Sequence, residues 1–232
     1  TRALGRLTNI HWVMSELSEL QKLQGNIAWA IRNDLDASEL IPMFERLLEC
    51  APKGSKLAQL ARLHLAELFV ERHPWKAALL AKSLLKEVDD ERAWAVLGLA
   101  HTLLGHHHCA RQAYWRALSL SPNCPSYAHN LGHLIDVAFN DPQEALSLLA
   151  RAYRGAPSEV EVAASYAHAL VRCNRWSDAR RVLSRALGAT DAVDQTLNDW
   201  LRSCPPPKPG NRRLGALRPR SSRARNVARP RH

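Results

Sequence analysis

One arrangement of small and large apolar residues recurs about every 34 positions along the chain, and it constrains the fold more tightly than any other feature. Leu97-Gly98 is answered 34 positions later by Leu131-Gly132. Around the first pair, Trp94, Leu97, Gly98 and His101 share one face of a helix. Ala110, Tyr114 and Ala117 share one face of a second helix, which Pro122 brings to an end. Gly98 and Ala110 are small where two helix axes must approach closely, and Trp94 and Tyr114 fill the space on either side. A helix pair of this size cannot bury its apolar face alone, so the copies must stack on one another.

The copies can be followed in both directions. Leu131, Gly132, Ile135, Ala145, Leu149, Ala152 and Pro157 repeat the spacing with one residue inserted at the turn Asn140-Asp141-Pro142. Ala163, Tyr166, Ala167 and Leu170 then lead to Ala179, Leu183 and Ala186. Upstream, Ala61, Leu65 and Leu68 lead to Ala77, Ala81 and Leu84, closing at Asp89 where proline is expected. Before them come Ile27, Ala28 and Ile31, followed by Leu40, Phe44, Leu47 and Pro52. Helix-start signals fall between these segments: Pro74 and Pro142 as first helical residues, Asp36 as a cap, and Ser158-Glu159-Val160-Glu161 as a capping box. Asn-Gly and Asp-Gly turns are absent and no stretch alternates with period two, so strands are not expected.

Most fully at 91–124 and 125–159, this pattern resembles the tetratricopeptide repeat, whose signature is W-x2-L-G-x2-Y, then A-x3-F-x2-A and a terminal proline. His101 departs from it, standing where the family usually has Tyr. The resemblance implies an all-α, right-handed α-solenoid of about five stacked helix-turn-helix units over residues 21–193. Residues 1–20 are expected to cap the array at its N-terminal end. Residues 194–204, with Leu197 and Trp200 on one face, are expected to cap the other, and 205–232 to form a disordered Arg/Pro-rich tail. Trp94 takes a core slot, and Trp29, Trp75 and Trp176 fall near helix ends or turns, so packing is expected to account for most of the seven tryptophans.

The resemblance further implies a non-catalytic scaffold or adaptor, co-chaperone-like, holding a peptide or partner helix in the concave groove lined by the first helices. Angles on the helices select the lining. In the fourth unit, Ala128, Leu131, Gly132 and Ile135 are the packing stripe. His129, His133 and Asp136 form a second stripe roughly 120° away, expected to be exposed in the groove. Register adds Ala95, Leu99 and Thr102 before them, and Ala164, His168 and Arg172 after, so the lining should be apolar in the middle and His-rich toward the C-terminal half. Asn130 stands where family members that clamp a C-terminal carboxylate use Asn. Ala95 and Leu99 stand where Lys and Asn would be needed, so a clamp is not supported.

Net charge is +10, but nine of the basic residues and no acidic one lie between Pro205 and His232, leaving 23 basic against 22 acidic residues in 1–204. A nearly neutral body therefore carries a cationic tail. Arg212, Arg213, Arg218, Arg220, Arg223 and Arg225 are its candidate contacts to a polyanion, and a nucleic-acid-associated adaptor attached by this tail is the alternative reading. No aromatic residue accompanies these arginines, so base stacking is not expected.

Five scattered cysteines without a CxxC pair point to reduced thiols and a cytoplasmic protein. The longest apolar stretch, 94–105, is too short and too polar to span a bilayer. No cofactor is implied, and no Gly-x-Ser-x-Gly elbow, glycine-rich phosphate loop or His-Glu-x-x-His motif suggests catalysis. His129 and His133 have the i, i+4 spacing of two ligands on one helix face, and His106-His107-His108-Cys109 lies in a turn. No third ligand is fixed by spacing, so no metal site is assigned.

Overall fold

A computed structural model describes residues 19–187, together with residues 195, 199 and 203, which are helical. The expectations for residues 1–18, for most of the C-terminal capping stretch and for the tail 205–232 lie outside the described residues. All regular structure described is helical: α1 over 19–32, α2 Ala37–Cys50, α3 Lys56–Phe69, α4 Pro74–Leu84, α5 Glu91–Leu103, α6 His107–Leu120, α7 Pro125–Val137, α8 Pro142–Gly155, α9 Val160–Arg172 and α10 Trp176–Leu187. They pair as five consecutive helix hairpins, so the all-α solenoid expected from the repeat is the observed fold.

Four of the five turns inside the hairpins, all but that between α3 and α4, share one backbone device. Asp34, Gly105, Asn140 and Asn174 each take positive φ between the two helices of their unit, the left-handed conformation that Gly, Asn and Asp tolerate best. The amide three residues past the helix then reaches back five residues: His106 N donates to His101 O at 2.8 Å and Arg175 N to Leu170 O at 2.8 Å. At the inserted residue the loop is longer, and Asp141 N reaches Ile135 O at 3.1 Å. The insertion is thus absorbed in the turn without disturbing the helix faces.

Close packing explains the small residues. A Cβ added to Gly98 would lie 2.6 Å from the Tyr114 ring, and one added to Gly132 would lie 2.8 Å from Leu149 Cγ. Each glycine therefore lets the first helix of its unit settle onto the large residue of the second. Gly155, at the end of α8, does the converse in the same unit, since its added Cβ would meet Pro125 Cγ at the start of α7 at 2.6 Å. The core is continuous along the array: Leu99 packs against the clusters on either side of it, and Leu146, Tyr153 and Tyr166 join the last two.

Three expectations are corrected. In the first unit Ile27 is buried but Ala28 and Ile31 are exposed, and Ala30 is buried in their place, so α1 is rotated relative to the repeat pattern. The sequence offers Leu20, Leu23, Ile27 and Ala30 as an equally regular apolar stripe, and packing selects that one. Second, the capping box before α9 does not form: Ser158 lies in a turn, and Glu159 occupies the N-cap without a side-chain hydrogen bond. Asp36, Ser55, Asp90 and Asp141 do cap their helices. Third, Trp29, Trp75 and Trp115 are exposed; among the described tryptophans only Trp94 and Trp176 pack on the core. Proximity to a turn, the signal used for Trp29 and Trp75, does not fix which way a ring points.

Curvature follows from which helices touch. Among α2–α10, consecutive first helices approach within 8 Å Cα to Cα (α3 with α5, α5 with α7, α7 with α9), whereas no two consecutive second helices do. First helices therefore crowd along one side, which is concave, and second helices splay along the other. Ion pairs tie neighbouring elements together: Arg92 grips both carboxylate oxygens of Glu67 at 2.8 and 2.9 Å, Arg62 pairs with Glu87 at 2.5 Å, and Arg111 with Glu144 at 2.5 Å. Asp89, at the position where a repeat usually carries proline, accepts from Trp94 Nε1 at 2.6 Å and from Arg116. These two bonds, Trp94 first, hold the Asp89 carboxyl below its ordinary value.

Candidate partner-binding groove

The first-helix face is built from α1, α3, α5, α7 and α9, and its chemistry changes along its length. On α5, Ala95, Leu99 and Thr102 are half-buried. Leu99 is wedged between two core clusters, and Thr102 donates its hydroxyl to Gly98 O at 2.9 Å, so neither group is free to change partners. Leu103 and Val137, the next residues along the same face, are 52% and 55% exposed. They supply open apolar surface that the angular argument did not select.

Between α7 and α9 the groove is polar and His-rich, as register suggests. His129 Nε2 and Ser165 Oγ share a hydrogen bond of 2.9 Å, and the same hydroxyl lies 3.3 Å from His133 Nδ1. A hydroxyl has one proton, so it donates to one imidazole and accepts from the other, which couples the tautomers of the two rings. The rings lie 6.0 Å apart. Desolvation against α9, followed by the charge of the neighbouring His133, holds His129 below its ordinary pKa. Desolvation is also the main cause for His133, with the Asp136 carboxylate pulling the other way. Asn130 stands beside His129, half-buried. Ser165, the pivot of this arrangement, was not foreseen; its position two residues past Ala163 on the repeat pattern, next to Ala164, is the signal that would have found it.

Asp136 and Arg172 were expected to be exposed in the groove, and the structure corrects both. Asp136 is 1% and Arg172 8% exposed. Arg172 donates from one terminal nitrogen to the Asp136 backbone oxygen and to Asp136 Oδ1, both at 2.6 Å, and from the other to Asn140 Oδ1. His168 Nδ1 donates to the remaining Asp136 oxygen at 2.6 Å. The physical reason is the concave crowding: α9 lies over the C-terminal half of α7, so the end of the predicted stripe is roofed by the next unit. The groove therefore splits into an open part, the exposed His133, Leu103 and Val137 bordered by the half-buried His129 and Asn130, and a closed ion-pair network that locks α7 to α9. His168 belongs to both.

The turn histidines do not converge. His106 packs against His101 with centroids 5.6 Å apart, and His108 stands edge-on to Phe139 at 5.1 Å. Among the described residues no three His, Cys, Asp or Glu side chains are grouped to hold a metal ion. No described helix is long and apolar enough to cross a membrane, and Cys50, Cys109, Cys124 and Cys173 are free thiols. The tail arginines Arg212, Arg213, Arg218, Arg220, Arg223 and Arg225 lie outside the described residues.

Comparison with known proteins agrees with this geometry. A model of the tetratricopeptide repeat family matches residues 137–194, a stretch that takes in α8, α9 and α10. The protein FlbA of Caulobacter vibrioides is 38% identical over 117 residues, 49% of this chain and 19% of FlbA, so the chain spans about a fifth of that relative. Among solved structures, MamA superposes with a TM-score of 0.57 at 17% identity, covering 71% of this chain and 94% of that one. MamA from Desulfovibrio magneticus RS-1 superposes with a TM-score of 0.61 at 11% identity, covering 75% and 95%. At such identities the likeness concerns the fold.

Proposed function

We propose that this tetratricopeptide-repeat solenoid is a non-catalytic scaffold that holds an extended peptide or an exposed helix of a protein partner in its concave groove. The observation that carries the reading is the crowding of first helices on one side, which gathers open apolar surface (Leu103, Val137) beside the exposed His133 and the half-buried His129 and Asn130 on a continuous strip. Ala95, Leu99 and Thr102 shape the floor, while Asp136 and Arg172 hold the strip in position from beneath. Apolar anchors flanked by a few polar groups are what a peptide groove requires. The four free described thiols are consistent with a reducing compartment, for which the cytoplasm is the natural candidate.

The test is capture of the protein that co-purifies with the native chain. His133→Ala should reduce its yield severalfold while leaving the melting temperature nearly unchanged, because this ring is exposed on the groove. Arg172 is left intact in this variant, being buried. Undiminished capture would move the binding surface elsewhere. The separate charge reading is that the nine basic residues of 205–232 contact a polyanion such as nucleic acid, a sequence-independent attachment added to the groove.

A further inference from the structure

The splayed side of the solenoid holds a feature that the groove does not use. A cavity of about 300 Å³ opens between α8 and α10, with Tyr166 of α9 among its lining residues. Tyr153 and Tyr166 line it as a tilted ring pair with centroids 5.7 Å apart. Around the rings stand four arginines, Arg154, Arg175, Arg181 and Arg185, and one carboxylate, Asp178. Elsewhere in the array several cations each meet a carboxylate, as in Arg62 with Glu87, Arg92 with Glu67 and Arg111 with Glu144.

That pairing fails here for a reason written in the repeat. Arg175 and Arg181 must share Asp178, at 2.7 and 3.1 Å. Arg116 and Arg185 occupy the same repeat position, six residues past Ala110 and Ala179 respectively. Arg116 finds Asp89 in the preceding loop, whereas the residue equivalent to Asp89 for Arg185 is Ser158, which carries no charge. Arg154 and Arg185 form no ion pair or hydrogen bond among the described residues. The cleft thus combines an aromatic wall with unneutralised guanidinium groups, which recognise carboxylates through charge-assisted hydrogen bonds.

We propose that the cleft between α8 and α10 is a second docking site, taking an acidic extended segment of a protein partner. Carboxylates of the segment meet Arg154 and Arg185, and an apolar side chain lies against Tyr153 and Tyr166. The cavity lies between two splayed second helices, a geometry that admits a passing chain. This site is on the opposite side from the concave groove, so loss of either one leaves the other standing.

The test uses the full chain and a fluorescein-labelled peptide alternating Asp with Leu and Phe, read by anisotropy. An otherwise identical peptide with Asn for Asp is the control. Because the tail is cationic, Arg154→Gln with Arg185→Gln is compared with Arg223→Gln plus Arg225→Gln, which removes the same charge from the tail. The cleft variant is expected to bind the acidic peptide about tenfold or more weakly, and the tail variant within about twofold of the parent. Replacing Tyr153 by Ala should weaken binding of the same peptide with its salt dependence unchanged, which a purely electrostatic contact would not give. Equal losses in the two arginine variants, no saturable binding by the parent, or equal binding of the Asn peptide would each overturn the proposal. Displacement of the peptide by orthophosphate at equal concentration would also overturn it, showing a small-anion pocket instead.

Discussion

Arg172 carries a charge into a place where only 8% of its surface meets solvent, and the groups around it decide what that does to stability. Asp136, itself 1% exposed, supplies both a carboxylate and a backbone oxygen, and Asn140 takes the second terminal nitrogen. Removing one member strands the other without water, so Arg172→Leu should lower the unfolding free energy by about 3–5 kcal/mol in urea titration. The double change Asp136→Leu with Arg172→Leu should recover a large part of that loss, because no buried charge then remains. Similar damage from the single and double variants would show that the pair matters through shape rather than charge. The two histidines nearby give a pH dependence. With folded values held below the ordinary one, the unfolded chain binds more protons in the window from about pH 6.5 downward, so their contribution is present above that window and lost as pH falls through it. Glu161 and Asp136 oppose the shift and His168 adds to it for His133. His129→Gln with His133→Gln should therefore flatten the fall in melting temperature between pH 7.5 and 5.5 relative to the parent, and an unchanged slope would refute this assignment. At this scale the sequence identified the right residue types but not their burial. Spacing places Asp136 on the flank of α7, and only the stacking of α9 above it determines that the flank is covered.

Individual elements were more legible, because their signals are local. Gly98 and Gly132 mark helix crossings, and the structure places Tyr114 and Leu149 against them. Gly132→Leu should accordingly destabilise by about 1–3 kcal/mol or more through overpacking, whereas His133→Ala on the same helix should change stability by less than about 0.5 kcal/mol. Equal losses would mean that the packing face of α7 is misplaced. Helix starts were legible where one side chain decides them, as at Asp36 and at Pro74 and Pro142, and illegible where two candidates compete. Before α9, Ser158 offers the better cap, yet the chain enters the helix one residue later at Glu159, which makes no capping bond. Glu159→Ser would supply the missing acceptor at the position the backbone already uses, and should raise stability by about 0.5–1 kcal/mol, read as an increase in melting temperature. No gain would show that the first turn of α9 already finds its partners elsewhere. The rotation of α1 has the same origin: two apolar stripes were available in the sequence, and the neighbours of α1 choose between them.

For the molecule as a whole, charge is distributed with a strong end bias. Residues 1–204 hold 23 basic and 22 acidic residues, while 205–232 holds nine basic ones and no acid. Within the array acidic and basic residues nearly balance, and several cations meet carboxylates directly, as at Arg62, Arg92, Arg111 and Arg116, so little of the field that would attract a polyanion comes from there. The cations around Tyr153 and Tyr166 are too few to hold a nucleic acid against physiological salt. If the whole protein associates with nucleic acid, the attachment must therefore be supplied by the tail and must weaken with ionic strength, because it replaces condensed counterions phosphate by phosphate. Removal of 205–232 should abolish that binding and reduce the slope of log affinity against log salt to near zero. In the intact chain, six or more phosphate contacts would reduce affinity by roughly a thousandfold or more between 50 and 200 mM salt. The same truncation should leave capture of a protein partner by the concave groove unchanged, since every groove residue named lies between Ala95 and Arg172. Loss of the protein partner on truncation would place recognition in the tail, and salt-insensitive nucleic-acid binding by the truncated array would place it on the solenoid.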